Sequence, residues 1–268
     1  MILPLIFVLP IVTGYNYCNN KTHKCVLEKT EHFMCRLDKY TPLENATKLY
    51  AIVPDTESLQ LNILNILNRF RNHFASGDLR TAKNITFARA KRMRTLLWDN
   101  ELGYMARVHA STVSYQHTEC RATLRFPYVG ESLALLVPKQ SIEIPEILQK
   151  MFNTMFDEYL NVVDPEGLLL GYDPHRDYDC ADFTNIISDR VSRVGCGLAV
   201  GSNCRSGSST NFCHFLTCHF DFTNMEGSYV YKAGKPATCV DWNTKGSKKF
   251  PNLCDNNGNL FPPDQGDK

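Results

Sequence analysis

The chain has 268 residues, of which 43% are hydrophobic and 21% are charged, and its 29 basic residues nearly balance its 28 acidic ones. A formal net charge of +1 excludes a general attraction to nucleic acid or to an anionic membrane surface. Because about 250 residues suffice to bury one full core with a small appendage, we expect a single domain.

The first segment, residues 1–14, is an apolar run without a charge that ends in small residues. It is too short to span a bilayer and is typical of a signal peptide cut near Gly14; a buried N-terminal strand is the weaker alternative. No later stretch is apolar and long enough for a membrane helix. We therefore expect a secreted, extracellular protein without a transmembrane segment.

All eleven cysteines follow Gly14, and an oxidising compartment normally pairs such cysteines, which leaves one thiol over. Zinc is the competing use of clustered cysteines. The tightest spacing, Cys213-x4-Cys218, is not the C-x2-C type of structural zinc sites, so disulfides are predicted. Three sequons predict glycans at Asn20, Asn45 and Asn84.

Residues 15–55 are polar and contain three cysteines with little periodicity, which predicts a stapled N-terminal extension without a core of its own. Three helices are predicted next: one that ends at Gly77, one that starts after the N-cap Asp99, and one with Pro145 in its first turn. The apolar stripes of the first and third helices are Ile63, Leu67, Phe70 and Phe74, and Leu148, Phe152, Met155 and Tyr159.

The pattern changes after residue 165. Residues 182–188, 194–200 and 212–220 are short, β-rich segments, and the Gly/Ser/Asn stretch 201–211 is typical of a hairpin loop. Residues 226–268 are rich in Gly, Pro and Asn and predict a small C-terminal extension closed by a disulfide. Helices first and strands later favour an α+β layered fold over a doubly wound one.

One basic cluster precedes the apolar residues 96–98. A solvated loop is the prediction for such a run, with heparin-like binding as the alternative. The cluster consists of Arg89, Lys91, Arg92 and Arg94.

Several segments in fixed order resemble the CAP family of cysteine-rich secretory, antigen 5 and plant pathogenesis-related-1 proteins. They are residues 97–102 (LWDNEL), 115–120 (YQHTEC), 129–134 (VGESLA), 193–197 (RVGCG) and 216–220 (LTCHF). The block from Tyr17 to Cys35 and the tail from Tyr229 resemble the insect antigen 5 branch. The resemblance implies a three-layer α-β-α sandwich, the CAP or SCP domain, over residues 56–225, between the extensions 15–55 and 226–268.

The resemblance also implies a disulfide pattern, with Cys18 joined to Cys35, Cys25 to Cys120, and Cys196 to Cys218. A further family bridge would need a cysteine at Val113 and one soon after Cys35, and both are absent. Of the remaining cysteines, Cys239 with Cys254 would close the C-terminal extension and Cys204 with Cys213 the hairpin loop. Cys180 is then the expected free thiol.

The family builds a central cleft from two histidines and two glutamates, which hold a divalent metal in some members. The resemblance places these positions at His117, Glu131, Glu158 and Asp182, with an aspartate where the family usually has a histidine. Zinc prefers nitrogen and sulfur ligands, whereas one imidazole with three carboxylates suits Mg²⁺ or Ca²⁺ better. We expect no required cofactor and at most weak divalent metal binding, and a hydrogen bond from His117 could stabilise Glu158.

The sequence offers no recognisable catalytic triad. Ser132 follows Glu131, but the surrounding Gly-Glu-Ser-Leu-Ala is not the strained Gly-x-Ser-x-Gly elbow of hydrolases, so a structural serine is predicted. The other histidines lack recognisable pairing, and surface or core roles are predicted for His73, His109, His175, His214 and His219.

The function that the resemblance implies is that of a secreted, non-enzymatic CAP-domain effector or binding protein in saliva, venom, reproduction or defence. The alternatives are a secreted metal-dependent protease or hydrolase and a sterol- or lipid-binding carrier. We expect a monomer whose partner is an extracellular protein or a lipid or sterol ligand.

Overall fold

The computed structural model describes residues 16–18, 25, 28–204 and 211–261. Its strands are β1 (Lys48–Ile52), β2 (Leu97–Trp98), β3 (Gly130–Leu136), β4 (Arg193–Ser202) and β5 (Phe212–Phe220). Its α-helices are α1 (Glu57–Ser76), α2 (Asn100–Ser111), α3 (Ile144–Asp157), α4 (Gly167–Leu170) and α5 (Ala181–Ile187). Short 3-10 turns span Phe33–Cys35, Leu37–Lys39, Glu158–Asn161, Tyr178–Cys180 and Val240–Trp242.

The three predicted helices are confirmed, and local signals explain their ends. Helix α1 ends at Gly77, whose φ of 77° lies in the left-handed region that glycine adopts without strain. Asp99 caps α2, because its Oδ1 accepts hydrogen bonds from the N–H groups of Glu101 and Leu102. Helix α3 has its proline in the first turn, but Tyr159 of the predicted stripe lies in the 3-10 turn that follows.

The central sheet has the strand order β1-β4-β5-β3, and β2 pairs with β4 in parallel. The predicted hairpin of β4 and β5 is confirmed, with Cys196 paired to Cys218 across it. Two differences from the sequence expectation emerge. Residues 182–188 are not β-rich but form most of helix α5, and β1, inside the N-terminal extension, adds an edge strand to the sheet that had not been predicted.

Helices cover both faces of this sheet. Helix α2 packs on β4 and β5, while α3 and α5 pack on β3 and, together with α1, on one another. The approach of α2 is close: a Cβ on Gly195 would lie 2.0 Å from the backbone nitrogen of Gly103, and one on Gly197 would lie 2.3 Å from the Cα of Arg107. The structure is therefore the expected α+β fold, a three-layer α-β-α sandwich.

Five disulfides staple the described residues: three join the cysteines that the resemblance paired, and two join the cysteines that remained for the hairpin loop and the C-terminal extension. They are Cys18–Cys35, Cys25–Cys120, Cys196–Cys218, Cys204–Cys213 and Cys239–Cys254. Cys180 is free and buried, and its thiol donates to the carbonyl of Asp177 at 3.3 Å. Burial, reinforced by the charge of Asp177, raises the pKa of this thiol to about 12.

The basic cluster is not the solvated loop that had been predicted. Arg89 is exposed, but Arg92 and Arg94 are buried. The Nε of Arg92 forms an ion pair with Asp189 at 3.0 Å, and the guanidinium of Arg94 lies 3.6 Å from the ring centroid of Trp242. The prediction failed because these partners come from segments roughly a hundred residues or more away in the sequence.

Other sequence predictions concern the surface and the ends of the chain. The signal peptide at residues 1–14, the sequon at Asn20 and the hairpin tip at 205–210 lie outside the described residues. Asn45 and Asn84 are exposed, as glycan acceptors must be, and their glycosylation stays a prediction. None of the helices in the described ranges is long and apolar enough to cross a membrane.

Candidate functional site

The cleft is built around the carboxylate of Glu131, which lies in β3 and is buried with its residue only 3% exposed. This carboxylate accepts from the Nδ1 of His117 at 2.9 Å and from both the N–H and the hydroxyl of Thr118, at 2.8 and 2.9 Å. Burial opposes its ionisation, but the Arg121 guanidinium and the two histidines His117 and His219 outweigh burial and hold the pKa of Glu131 well below its ordinary range.

Two further histidines, which the sequence analysis had left unpaired, surround the same carboxylate. The β3–β5 register sets Glu131 opposite His219, whose Nε2 lies 3.1 Å from Oε2, and α2 brings the Nδ1 of His109 to 3.3 Å from the same oxygen. Burial lowers the pKa of both histidines, that of His109 to about 4, so both are neutral at pH 7. The Nε2–H of His219 therefore donates to the ionised Glu131, which fixes the tautomer of this ring, while the Nδ1 of His109 also lies 3.3 Å from the hydroxyl of Thr217.

Aromatic side chains of the N-terminal extension cover this network. The ring of Phe33 contacts those of His109 and His219 edge-on, with centroids 5.9 and 5.8 Å apart, and Tyr40 packs on His109 in the same manner. The extension is held there by the Cys25–Cys120 disulfide. On this side, aromatic rings therefore cover the site around Glu131 and shield it from solvent.

The second half of the cleft contains Glu158 and Asp182. The Oε2 of Glu158 accepts from the backbone N–H groups of Asp182 and Phe183, at 2.9 and 3.0 Å, in the first turn of α5. Burial, followed by the charge of Asp182, raises the pKa of Glu158 to about 8, and burial raises that of Asp182 to about 6 against the opposing hydroxyl of Ser132. At pH 7 Glu158 is therefore protonated in most molecules.

The structure brings the four predicted cleft residues into one neighbourhood but not into one ligand set. His117 is 63% exposed at its side chain, and its Nδ1 is committed to Glu131 rather than to Glu158, which takes its hydrogen bonds from α5. The expected His117–Glu158 hydrogen bond is thus replaced by backbone contacts. The charges of Glu131 and Asp182 raise the pKa of His117, after the larger effect of its hydrogen bond to Glu131.

Within the described ranges, one group of three side chains has its ligand atoms within 4.8 Å of one another, and it consists of His109, Glu131 and His219. Two imidazoles and a carboxylate match zinc by donor type. However, a metal would have to displace the hydrogen bonds that Glu131 accepts and pass the aromatic cover. The arrangement fits a closed polar network better than a metal centre.

Two candidate nucleophiles adjoin the cleft residues in the described part of the chain, and neither is accessible. Ser132 is fully buried, and the Cys180 thiol is buried with a pKa of about 12. A nucleophile must reach its substrate and must ionise or have a base beside it. The cleft therefore lacks a side chain that could start covalent hydrolysis from either position.

Residues 64–220, more than half of the chain, match the model of the cysteine-rich secretory protein family, CAP. The chain belongs to this family. It is similar to Venom allergen-1 of Aedes albopictus, with 26% identity over 242 residues that cover 89% of this chain and 87% of the allergen. It is also similar to the antigen 5 like allergen Cul n 1 of Culicoides nubeculosus, with 30% identity over 55% of this chain and 64% of that protein.

Solved structures share the fold. The crystal structure of NaASP2 with Zn²⁺ superimposes with a TM-score of 0.60 and 18% sequence identity, and the match covers 75% of this chain and 98% of that one. At this identity the similarity supports the α-β-α architecture alone.

Proposed function

We propose that this chain is a secreted, non-enzymatic binding protein of the CAP family, whose central cleft has kept its architecture without a working metal centre. The observation that carries the proposal is the environment of Glu131: its oxygens accept from His117, Thr118 and His219 and are covered by aromatic rings. A carboxylate so enclosed contributes to stability and is not free to polarise a water molecule or hold a substrate.

The residue at position 182 supports the same proposal. Asp182 stands where the family usually has a second histidine, and the charge of its carboxylate, after burial, helps to raise the pKa of Glu158 to about 8. Two acids and one partly exposed imidazole make a poor zinc set, so binding of a divalent metal should be weak and no cofactor is required. The relatives named as venom allergens are consistent with release from the cell, as are the five disulfides and the apolar residues 1–14.

Zinc titration of the wild type and two variants tests this proposal. Calorimetry of the wild type should give weak or undetectable binding, Asp182→His should bind Zn²⁺ at least tenfold more tightly because a nitrogen ligand is restored, and adding His117→Ala should remove the gain. Stoichiometric, tight zinc in the wild type, together with zinc-dependent peptide hydrolysis lost in Glu158→Gln, would instead establish the protease alternative.

The sterol or lipid carrier stands as the second candidate because of one cavity. It measures about 350 Å³, near the lower end of ligand pockets, and lies between the edge strand β1 and the segment after β3. Its lining is mainly apolar and includes Tyr50, Ile142 and Phe212. Mass spectrometry of lipids that co-purify with the full chain distinguishes this candidate from a protein-binding effector.

A further inference from the structure

A second buried charge lies outside the cleft, in the segment between α5 and β4. Arg190 is only 8% exposed, and its guanidinium lies 3.9 Å from the ring centroid of Tyr229 and just over 5 Å from those of Phe222 and Phe261. Its Nε is buried without a hydrogen-bond partner, and no carboxylate of the described residues forms an ion pair with it. The guanidinium is thus surrounded by ring faces and has no anion.

Two carboxylates close to it are already engaged, Asp189, which precedes it in the sequence, and Asp221, which lines the same cavity. Asp221 accepts from the N–H groups of Ser192 and Arg193, and also from the Ser192 hydroxyl. Asp189 accepts from the Nε of Arg92 and from the N–H of Lys232, both at 3.0 Å. Cation–π contacts offset only part of the cost of burying a guanidinium, so its position calls for an anion from outside the chain.

Arg190 lines a cavity that could receive such an anion. The cavity measures about 170 Å³, and half of its other lining residues are aromatic, namely Phe126, Tyr128, Phe222 and Phe261. Its rim includes Arg125, which is half-exposed and already paired with Asp99 and Glu101. Since a cavity of about 150 Å³ holds one benzene ring, this volume fits a single small aromatic body.

The residues that line the cavity indicate which class of anion it would bind. A guanidinium pairs with a carboxylate through two parallel N–H···O bonds, and the neighbouring rings favour a planar, apolar body. A phosphate dianion would need further cationic donors. The other charged side chains of the lining are already engaged, Arg125 with Asp99 and Glu101, and Asp221 with Ser192 and Arg193. We propose that Arg190 and the rings of Phe222 and Phe261 form a binding site for a small aromatic carboxylate. This site uses no residue of the cleft.

Calorimetry on the full chain with indole-3-acetate tests the proposal, with indole-3-acetamide as the matched neutral ligand. The acid should bind and the amide should bind at least tenfold more weakly, because the amide keeps the ring and loses the charge. Arg190→Gln should weaken binding of the acid at least tenfold. The control variant Lys232→Gln removes a cation 5.4 Å from the same Tyr229 ring but outside the cavity lining, and it should bind within twofold of the wild type.

The two ligands keep the test decisive even if Arg190→Gln fails to fold, since their comparison needs only the wild type. Equal binding of acid and amide would overturn the proposal, as would undamaged binding in a folded Arg190→Gln protein. Failure of the folded wild type to bind the acid would overturn it too. None of these results bears on zinc binding in the cleft, so the proposed function is tested separately.

Discussion

Glu131 and Arg190 are both ionised side chains in the interior of the same domain, yet their surroundings differ. Glu131 accepts hydrogen bonds from His117, Thr118 and His219, whereas the guanidinium of Arg190 lies against aromatic rings and forms no ion pair with a carboxylate of the described residues. One charge is fully compensated by the fold, and the other is compensated only in part. The charge that remains available to an anionic ligand is therefore that of Arg190, outside the family cleft.

This difference separates two uses of a buried charge. A charge whose partners all come from the chain adds stability and specificity to the fold, and removing it leaves those partners unsatisfied. A charge without a partner lowers stability and is free to bind a ligand. Substitution should therefore lower stability strongly at Glu131 and change it little at Arg190, and three measurements test this difference and the protonation of the cleft.

The largest expected effect is at Glu131. Glu131→Ala should lower the free energy of unfolding by about 5 kcal/mol, because His117, Thr118 and His219 lose a buried acceptor at once. Denaturant titration measures this loss. Ser132→Ala, the next residue of the same strand and equally buried, is the control and should cost about 1 kcal/mol. A Glu131→Ala protein within 1 kcal/mol of the wild type would show that the network is not structural.

A smaller effect with a characteristic pH dependence is expected at Glu158. Its pKa of about 8 in the folded protein exceeds the ordinary value, so the folded state holds a proton that the unfolded chain releases, and stability falls as pH rises towards 8. Glu158→Gln stays neutral but keeps an oxygen for the α5 amides. Its stability advantage should grow by about 2 kcal/mol between pH 6 and pH 9.

Thermal unfolding of both proteins across this pH range measures the difference. The raised pKa of His117 also reduces stability as pH rises, but it does so in both proteins and therefore cancels. An advantage that is constant with pH would mean that Glu158 is ionised in the folded state, and at pH 7 the cleft would then carry three negative charges, on Glu131, Glu158 and Asp182.

The smallest effect is expected at Arg190. Arg190→Met should change the free energy of unfolding by no more than about 1 kcal/mol, since it removes a charge that has no ionic partner and keeps an apolar stem. Arg92→Met is the contrasting variant. It leaves the buried Asp189 without its ion pair and should lower the free energy of unfolding by about 3 kcal/mol. Similar losses at the two positions would assign Arg190 a structural role.

Local signals allowed much of the fold to be predicted. The cap at Asp99, the proline at the start of α3 and the glycine after α1 each act within one helical turn, and so the three long helices followed from the sequence. Helix α5 did not. Its β-branched and aromatic residues favour a strand, but the carboxyl of Glu158, from another element, accepts the amides of its first turn.

The site was predictable only in part for a similar reason. The resemblance located His117, Glu131, Glu158 and Asp182, yet His109 and His219 join Glu131 only through the β3–β5 register and the packing of α2. Pairing the segment 129–134 with 216–220 would have placed Glu131 opposite His219. The site at Arg190 gave no signal, because its rings come from residues 222, 229 and 261.

The burial of the free Cys180 thiol limits disulfide exchange to the period before the chain has folded. Disulfide exchange proceeds through the thiolate, and a buried thiol with a pKa of about 12 supplies almost none at neutral pH. In the folded protein the eleventh cysteine therefore neither scrambles the five bridges nor joins two chains together. Exchange by Cys180 is therefore confined to the interval before the hydrophobic core that contains it has formed, so the five bridges form most safely after the chain has collapsed.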